Sequence, residues 1–82
     1  MKKTAICILH PGGGSDPLDL EIPLNLPAEE LIGALRRTFL PELREGEPES
    51  GFLRCENPIA LLHGRRKLKD WGVRDGTILY LQ

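Results

Sequence analysis

One stretch of the sequence, residues 27–39, has the apolar spacing of an amphipathic helix and limits what the rest of the chain can form. Pro27 at its start and the acidic pair Glu29 and Glu30 favour a helix that begins here. Its large apolar side chains recur on one face: Leu31, Ile32, Leu35 and Phe39. Their burial would contribute roughly 6 to 12 kcal/mol. Because every other apolar run is short and β-like, we expect this helix to cover one face of a sheet.

Two kinds of strand pattern accompany the helix. Residues 18–26 alternate strictly between apolar and polar, and Pro23 lacks an N–H, so this strand belongs at a sheet edge. Residues 4–9 and 77–81 are apolar at nearly every position, which is typical of central strands. Two shorter runs, residues 52–56 and 59–63, complete the set.

The order of these elements is that of a β-grasp domain, which has one helix between pairs of strands. We therefore predict an α+β fold in which a mixed four- to five-stranded sheet packs on one main helix, with the first and last strands parallel at its centre. Before the last strand, we expect a single helical turn closed by Gly72 and a tight turn at Asp75 and Gly76. Residues 41–50 are charged and turn-rich, and we predict a solvated loop there.

Length and charge restrict the function. The 82 residues form one domain, 1–82, and 11 basic against 12 acidic residues give a net charge of −1. Such a balance provides no overall attraction to nucleic acid or an anionic membrane. The first apolar run, residues 5–9, is too short for a signal-peptide core or a membrane span. We predict a soluble protein of a reducing compartment in which Cys7 and Cys55 are free thiols.

A single helix leaves one face of the sheet uncovered, and this face is the predicted partner interface. If Ile6, Ile8, Ile78 and Tyr80 face the helix, the intervening residues face outward and form an apolar contact surface. The predicted interface residues are Cys7, Leu9, Arg54, Arg65, Leu79 and Leu81. An error of one residue in parity would exchange the core and outer sets.

Other sequence features favour structural interpretations. The glycines after His10 lead into a strand and lack the Lys and helix of a phosphate-binding loop. Neither His10 nor His63 has metal-ligand spacing to a cysteine, and the basic residues 65–69 contain no aromatic residue that would indicate nucleic-acid binding. Trp71 is predicted to be a partly buried cover over the sheet end. We predict no catalytic, cofactor or metal site and no small-molecule substrate.

Three segments resemble the ubiquitin-like YukD/EsaB family associated with bacterial type VII secretion. They are Leu18-Asp-Leu-Glu-Ile-Pro, Leu26-Pro-Ala-Glu-Glu-Leu-Ile-Gly-Ala-Leu and Asp70-Trp-Gly-Val-Arg-Asp-Gly-Thr-Ile-Leu-Tyr-Leu. The resemblance implies a small cytoplasmic accessory factor, or the cytoplasmic domain of a membrane component, that acts in the export of small WxG-motif proteins and binds secretion-system components. It implies no enzymatic activity, whereas the prediction of no direct membrane insertion rests on the short apolar run at residues 5–9.

Two alternative functions remain open. One is a free-standing ubiquitin-like adaptor or small-modifier relative that acts in another pathway. The other is a sulfur or acyl carrier, which would need a longer natural C-terminus ending in Gly-Gly, whereas this sequence ends in Leu81-Gln82. The sequence also leaves open whether self-association covers the face of the sheet that the helix leaves exposed.

Overall fold

The computed structural model describes residues 3–12, 14–39 and 51–81. Helix α1, Ala28–Phe39, confirms the predicted helix to within one residue at its start. The carbonyl of Pro27 accepts bonds from the backbone N–H groups of Glu30 and Leu31, which closes the first turn. One face of α1 is buried, through Ala28, Leu31, Ile32, Gly33 and Leu35. The predicted loop at residues 41–50 lies outside the described residues.

Five strands form one mixed sheet. They are β1 (Thr4–His10), β2 (Leu18–Pro23), β3 (Phe52–Glu56), β4 (Ala60–His63) and β5 (Ile78–Tyr80). The spatial order is β2-β1-β5-β3-β4, in which β1 and β5 are parallel and every other neighbouring pair is antiparallel. The first and last strands are therefore adjacent near the centre, and β2 is an edge strand, as predicted. This is the β-grasp arrangement, with α1 packed on one face.

The predicted assignment of the two sheet faces is wrong. Cys7, Leu9 and Leu79 are each 0% exposed, and Leu81 is 6% exposed. All four belong to the core cluster that includes the buried face of α1. Ile6, which the prediction placed under the helix, is instead 45% exposed.

The register of the first hairpin explains this reversal. Cys7 is paired with Leu20, and Ala5 with Ile22, in the antiparallel ladder between β1 and β2. Residues directly opposite each other in such a ladder point to the same face. Because β2 is amphipathic and its leucines point inward, the odd-numbered residues of β1 must also point inward.

The segment before β5 forms as predicted. A single turn of 3₁₀ helix, Leu68–Trp71, inserts the fully buried Leu68 into the core. Gly72 ends this turn with φ of 85°, a left-handed conformation that glycine adopts without a steric penalty. The tight turn that follows contains Gly76 at φ 86°, and the Thr77 N–H donates to the Arg74 carbonyl at 3.0 Å.

Candidate protein-binding surface

The side of the sheet opposite α1, here called the outer face, presents the even-numbered side chains of the central strands. Ile8 is paired with Ile78 across the parallel ladder, and His10 with Tyr80. The side chains of Ile8, Ile78 and Tyr80 are half-buried by their neighbours within the sheet. The outer face therefore has an apolar centre built by β1 and β5.

The hairpin of β3 and β4 adds the most exposed apolar side chains. Phe52 is 51% exposed, Leu61 is 50% exposed and Ile59, in the turn between the strands, is 91% exposed. Their strand neighbours Leu53 and Leu62 are only 2% and 0% exposed. A group of large apolar side chains in one region of a small domain is typical of a contact surface.

Only part of the predicted interface lies on this face. Arg54 does, because it is opposite Tyr80 in the ladder between β3 and β5. Arg65 instead forms an ion pair with Glu29 of α1, at 3.6 Å between Nε and Oε1, and is 92% exposed. The four other predicted residues are in the core, as described above. The role of Arg54 and Arg65 in partner binding stays a prediction.

Ring contacts hold together each of two rows of side chains at one end of the outer face. In the first row, His10 stacks on Tyr80 with 5.0 Å between ring centroids, and the Arg54 guanidinium lies 4.3 Å from the centre of the Tyr80 ring. We call the two rows together the aromatic–basic band: His10, Phe52, Arg54, His63, Arg66, Trp71 and Tyr80. Such contacts stabilise a guanidinium over a ring by electrostatic attraction to its face.

The second row of the band extends from β3 past β4 to the 3₁₀ helix. The ring centroids of Phe52 and His63 are 5.3 Å apart, and those of His63 and Trp71 are 5.4 Å apart. Arg66 lies over the indole at 4.8 Å, and its Nη2 donates to the Asp70 carbonyl at 2.7 Å. Trp71 is half-buried at the sheet end, which confirms the prediction of a partial cover.

Acidic side chains lie elsewhere on the outer face. Asp19 and Glu21 of β2 are opposite Ile8 and Ile6, and Glu56 of β3 is opposite Ile78. Glu21 accepts a hydrogen bond from the Thr4 hydroxyl at 2.8 Å. The pKa of Tyr80 is raised above its ordinary value by burial and, secondarily, by the negative charge of Glu56. The outer face is thus basic and aromatic at one end and acidic toward the other.

A hydrogen-bond network centred on the buried Thr77 hydroxyl holds the β3–β4 turn that displays Ile59. The hydroxyl of Thr77, which is 0% exposed, donates to the Asn57 carbonyl at 2.6 Å and accepts from the Arg74 N–H at 3.0 Å. The Arg74 guanidinium donates to the Asn57 side-chain oxygen at 2.7 Å. The backbone next to Ile59 is therefore fixed at Asn57, which would reduce the entropy cost of a contact made by Ile59.

The two cysteines are buried on the inner side of the sheet and are free thiols. Burial raises the pKa of Cys7 to about 11, and the nearby Asp75 and Cys55 add to this effect. Burial also raises the pKa of Cys55, against a smaller opposing effect of a backbone hydrogen bond. A thiol must ionise to act as a nucleophile, so both are poorly suited to covalent chemistry. Within the described residues, His, Cys, Asp and Glu form no group of three that could hold a metal ion.

Sequence reasoning missed most of the band. It assigned Tyr80 to the core by incorrect parity, and it found no aromatic residue interleaved with the basic cluster, because Trp71 and His63 come close to Arg66 only in the folded chain. The hairpin register was the available signal for parity, since amphipathic β2 determines which face of β1 is buried. No local pattern predicts the contact between Arg66 and Trp71.

Comparison with solved structures supports the fold. The ubiquitin-like domain of the Mycobacterium tuberculosis type VII secretion system protein ECCD1 has a TM-score of 0.54 and 22% identity, with 94% of each chain covered. A structure described under "Molecular Mimicry of SUMO promotes DNA repair" has a TM-score of 0.59 and 17% identity, covering 96% of this chain and 92% of the other. No curated protein sequence gives a significant match.

The family comparison covers nearly the whole chain. Residues 6–81 match the model described as "WXG100 protein secretion system (Wss), protein YukD". In the part of the chain that the structure describes, α1 is too short and too polar to cross a membrane. The predicted resemblance and the ubiquitin-like fold are confirmed, and the chain belongs to the YukD family.

Proposed function

We propose that this domain is a non-catalytic protein-interaction module that serves as an accessory factor of a bacterial type VII-like secretion system. It acts in the cytoplasm and binds a protein component of the secretion system. Membership in the YukD family supports the secretion role. The observation that carries the binding role is the outer face, where Ile6, Phe52 and Leu61 are each about half exposed in a domain whose other sheet face packs against α1.

The chemistry of the cysteines supports a non-catalytic role. Cys7 and Cys55 are buried, and burial raises the pKa of both thiols. Neither is prepared for thiolate chemistry near neutral pH. The side chains that are exposed together are instead apolar, aromatic and basic, the types that protein interfaces favour.

The test is a cross-linked pull-down from the native host, with the intact domain compared with a Phe52→Ser/Leu61→Ser variant. Both substitutions remove exposed apolar surface, so the variant should stay folded. Ala34→Ser on α1 is the matched control, because it also replaces an apolar side chain by serine, but away from the outer face. We expect secretion components with the intact domain and the control, and their loss with the double variant.

Two results of the pull-down would contradict the proposal. Recovery of proteins unrelated to secretion would reject the secretion role and favour an adaptor in another pathway. Equal recovery by the intact domain and the double variant would reject the outer face as the binding surface. A genome neighbourhood without a secretion ATPase or a WxG-type substrate would also count against the secretion role.

A further inference from the structure

We propose that the aromatic–basic band binds an acidic segment of a partner protein, in which carboxylate side chains flank a large apolar side chain. This inference rests on the proposed protein-binding role of the outer face and specifies the chemistry of the partner. The two arginines of the band, Arg54 and Arg66, belong to different segments of the chain, and each lies over an aromatic ring.

Each of these arginines is oriented by a ring. Arg54 lies over Tyr80 at 4.3 Å and Arg66 over Trp71 at 4.8 Å. Within the described residues, neither guanidinium has a carboxylate at ion-pair distance, and Arg54 donates no hydrogen bond. A guanidinium stacked on a ring leaves its N–H edge available, and that edge matches a carboxylate with two parallel hydrogen bonds.

Apolar surface lies next to these arginines. Phe52 is two positions before Arg54 on β3, and Leu61 is directly opposite Arg54 on β4. Both side chains are about half exposed. A partner side chain such as leucine or phenylalanine can pack here while neighbouring carboxylates reach the arginines. The band therefore offers apolar contact and directed hydrogen-bond donors together, which is the combination that gives specific protein recognition.

Charge favours an acidic protein segment over a nucleic acid as the ligand of the band. Aromatic rings beside arginines can also stack bases and bind phosphates. However, Asp19, Glu21 and Glu56 lie on the same face, and the whole chain has a net charge of −1. A polyanion that follows this face would meet all three carboxylates, whereas a short acidic segment confined to the band would meet only Glu56, whose side chain is hydrogen-bonded to Tyr80.

Fluorescence titration tests the proposal directly, because Trp71 is the single tryptophan of the chain and belongs to the band. The probe is a synthetic peptide of glutamates around a leucine–phenylalanine pair, and the matched peptide has glutamine at every glutamate. We expect the acidic peptide to change the Trp71 emission saturably and to bind at least about tenfold more tightly than the glutamine peptide.

Single substitutions test whether the acidic peptide binds at the band. Arg54→Gln and Arg66→Gln should each lower the affinity for the acidic peptide by roughly three- to tenfold. Arg37→Gln is the matched control, since Arg37 lies against Gly33 of α1 and not on the outer face. Because Arg66→Gln also alters the environment of Trp71, calorimetry should confirm the affinities. Circular dichroism melts should show that all three variants are folded.

Several outcomes would overturn the proposal. These are equal binding of the two peptides, an Arg37→Gln effect as large as those of the band variants, and tighter binding of an oligouridylate than of the acidic peptide. Dimerisation in sedimentation that Arg54→Gln abolishes, without peptide binding, would identify a second copy as the occupant. Peptide binding without recovery of secretion components would retain this inference and reject only the secretion role.

Discussion

The two faces of the sheet are built by the same strands and by similar side chains, yet α1 packs on only one of them. Ile78 and Leu79 are neighbours in β5; Leu79 is fully buried, while Ile78 is half-buried on the outer face. Leu61 and Leu62 of β4 differ in the same way, at 50% and 0% exposed. Hydrophobicity therefore does not decide burial here. Register relative to the amphipathic strands decides which face receives α1 and which face α1 leaves uncovered.

The contrast between the two faces is tested most strongly by comparing Leu79→Ser with Ile78→Ser. Leu79→Ser removes a fully buried side chain and places a hydroxyl in the core, so we expect a loss of about 4 kcal/mol in the free energy of unfolding. Ile78→Ser should cost much less, because Ile78 already contacts solvent. Urea unfolding of both variants measures the difference. If Ile78→Ser were the more damaging change, the assignment of faces would be reversed.

Thr77→Val tests the only buried polar residue among the described ones. Removing the hydroxyl leaves the Asn57 carbonyl and the Arg74 N–H without their buried partner. We therefore expect the free energy of unfolding to fall by roughly 2 kcal/mol. Thr77→Ser is the control, because it keeps the hydroxyl and loses only a methyl group. A Thr77→Val protein as stable as the parent would show that water replaces the network.

Alkaline pH tests the burial of Cys7. Its pKa is about 11 in the folded protein against an ordinary value of 9.0. The folded state holds this proton more tightly, so its contribution to stability is complete below pH 9 and is lost as the pH rises toward 11. The loss should reach roughly 2 kcal/mol.

Denaturant unfolding across this pH range, compared with Cys7→Ala, isolates the effect from other titrating groups such as Cys55 and Tyr80. The variant should show a shallower decline in stability. Parallel declines for both proteins would indicate that the Cys7 thiol ionises normally in the folded state. Rapid labelling of native Cys7 by a mild alkylating agent would point to the same conclusion.

Leu61→Ser should have the smallest effect on stability, under about 1 kcal/mol, because the side chain is half exposed. Its effect should appear in partner binding instead. Leu62→Ser is the matched neighbour, and we expect it to destabilise the core about as strongly as Leu79→Ser. If Leu61→Ser and Leu62→Ser lowered the melting temperature equally, the burial assigned to the two faces at β4 would be wrong.

Much of the fold followed from local patterns. The spacing within residues 27–39 predicted α1, and the alternation of residues 18–26 with Pro23 predicted the edge strand. Gly72 and the turn at Gly76 were predictable because left-handed backbone favours glycine. The faces of β1 and β5 were not predictable from their own sequences, since both sets of alternate residues are apolar. Pairing with β2 supplies that information, and it depends on the register of a hairpin.

The candidate site was less accessible to sequence reasoning. Arg54 was predicted at the rim of the interface, and the structure places it on the outer face, opposite Tyr80. Arg66, Trp71 and His63 come from separate elements, so only the folded arrangement brings them together. The basic cluster read as a linear motif lacks aromatic residues, whereas in three dimensions Arg66 lies over an indole ring.

The pairing of β1 with β5 has a mechanical consequence. The two strands are parallel, and they are linked by bonds such as Ile8 N–H to Thr77 O at 2.9 Å and Leu81 N–H to His10 O at 3.0 Å. Tension applied between the start of β1 and the end of β5 is directed along the strands, so it loads these bonds in shear and they must break together. A force that pulls the domain by its two ends would therefore meet its strongest resistance at the centre of the sheet.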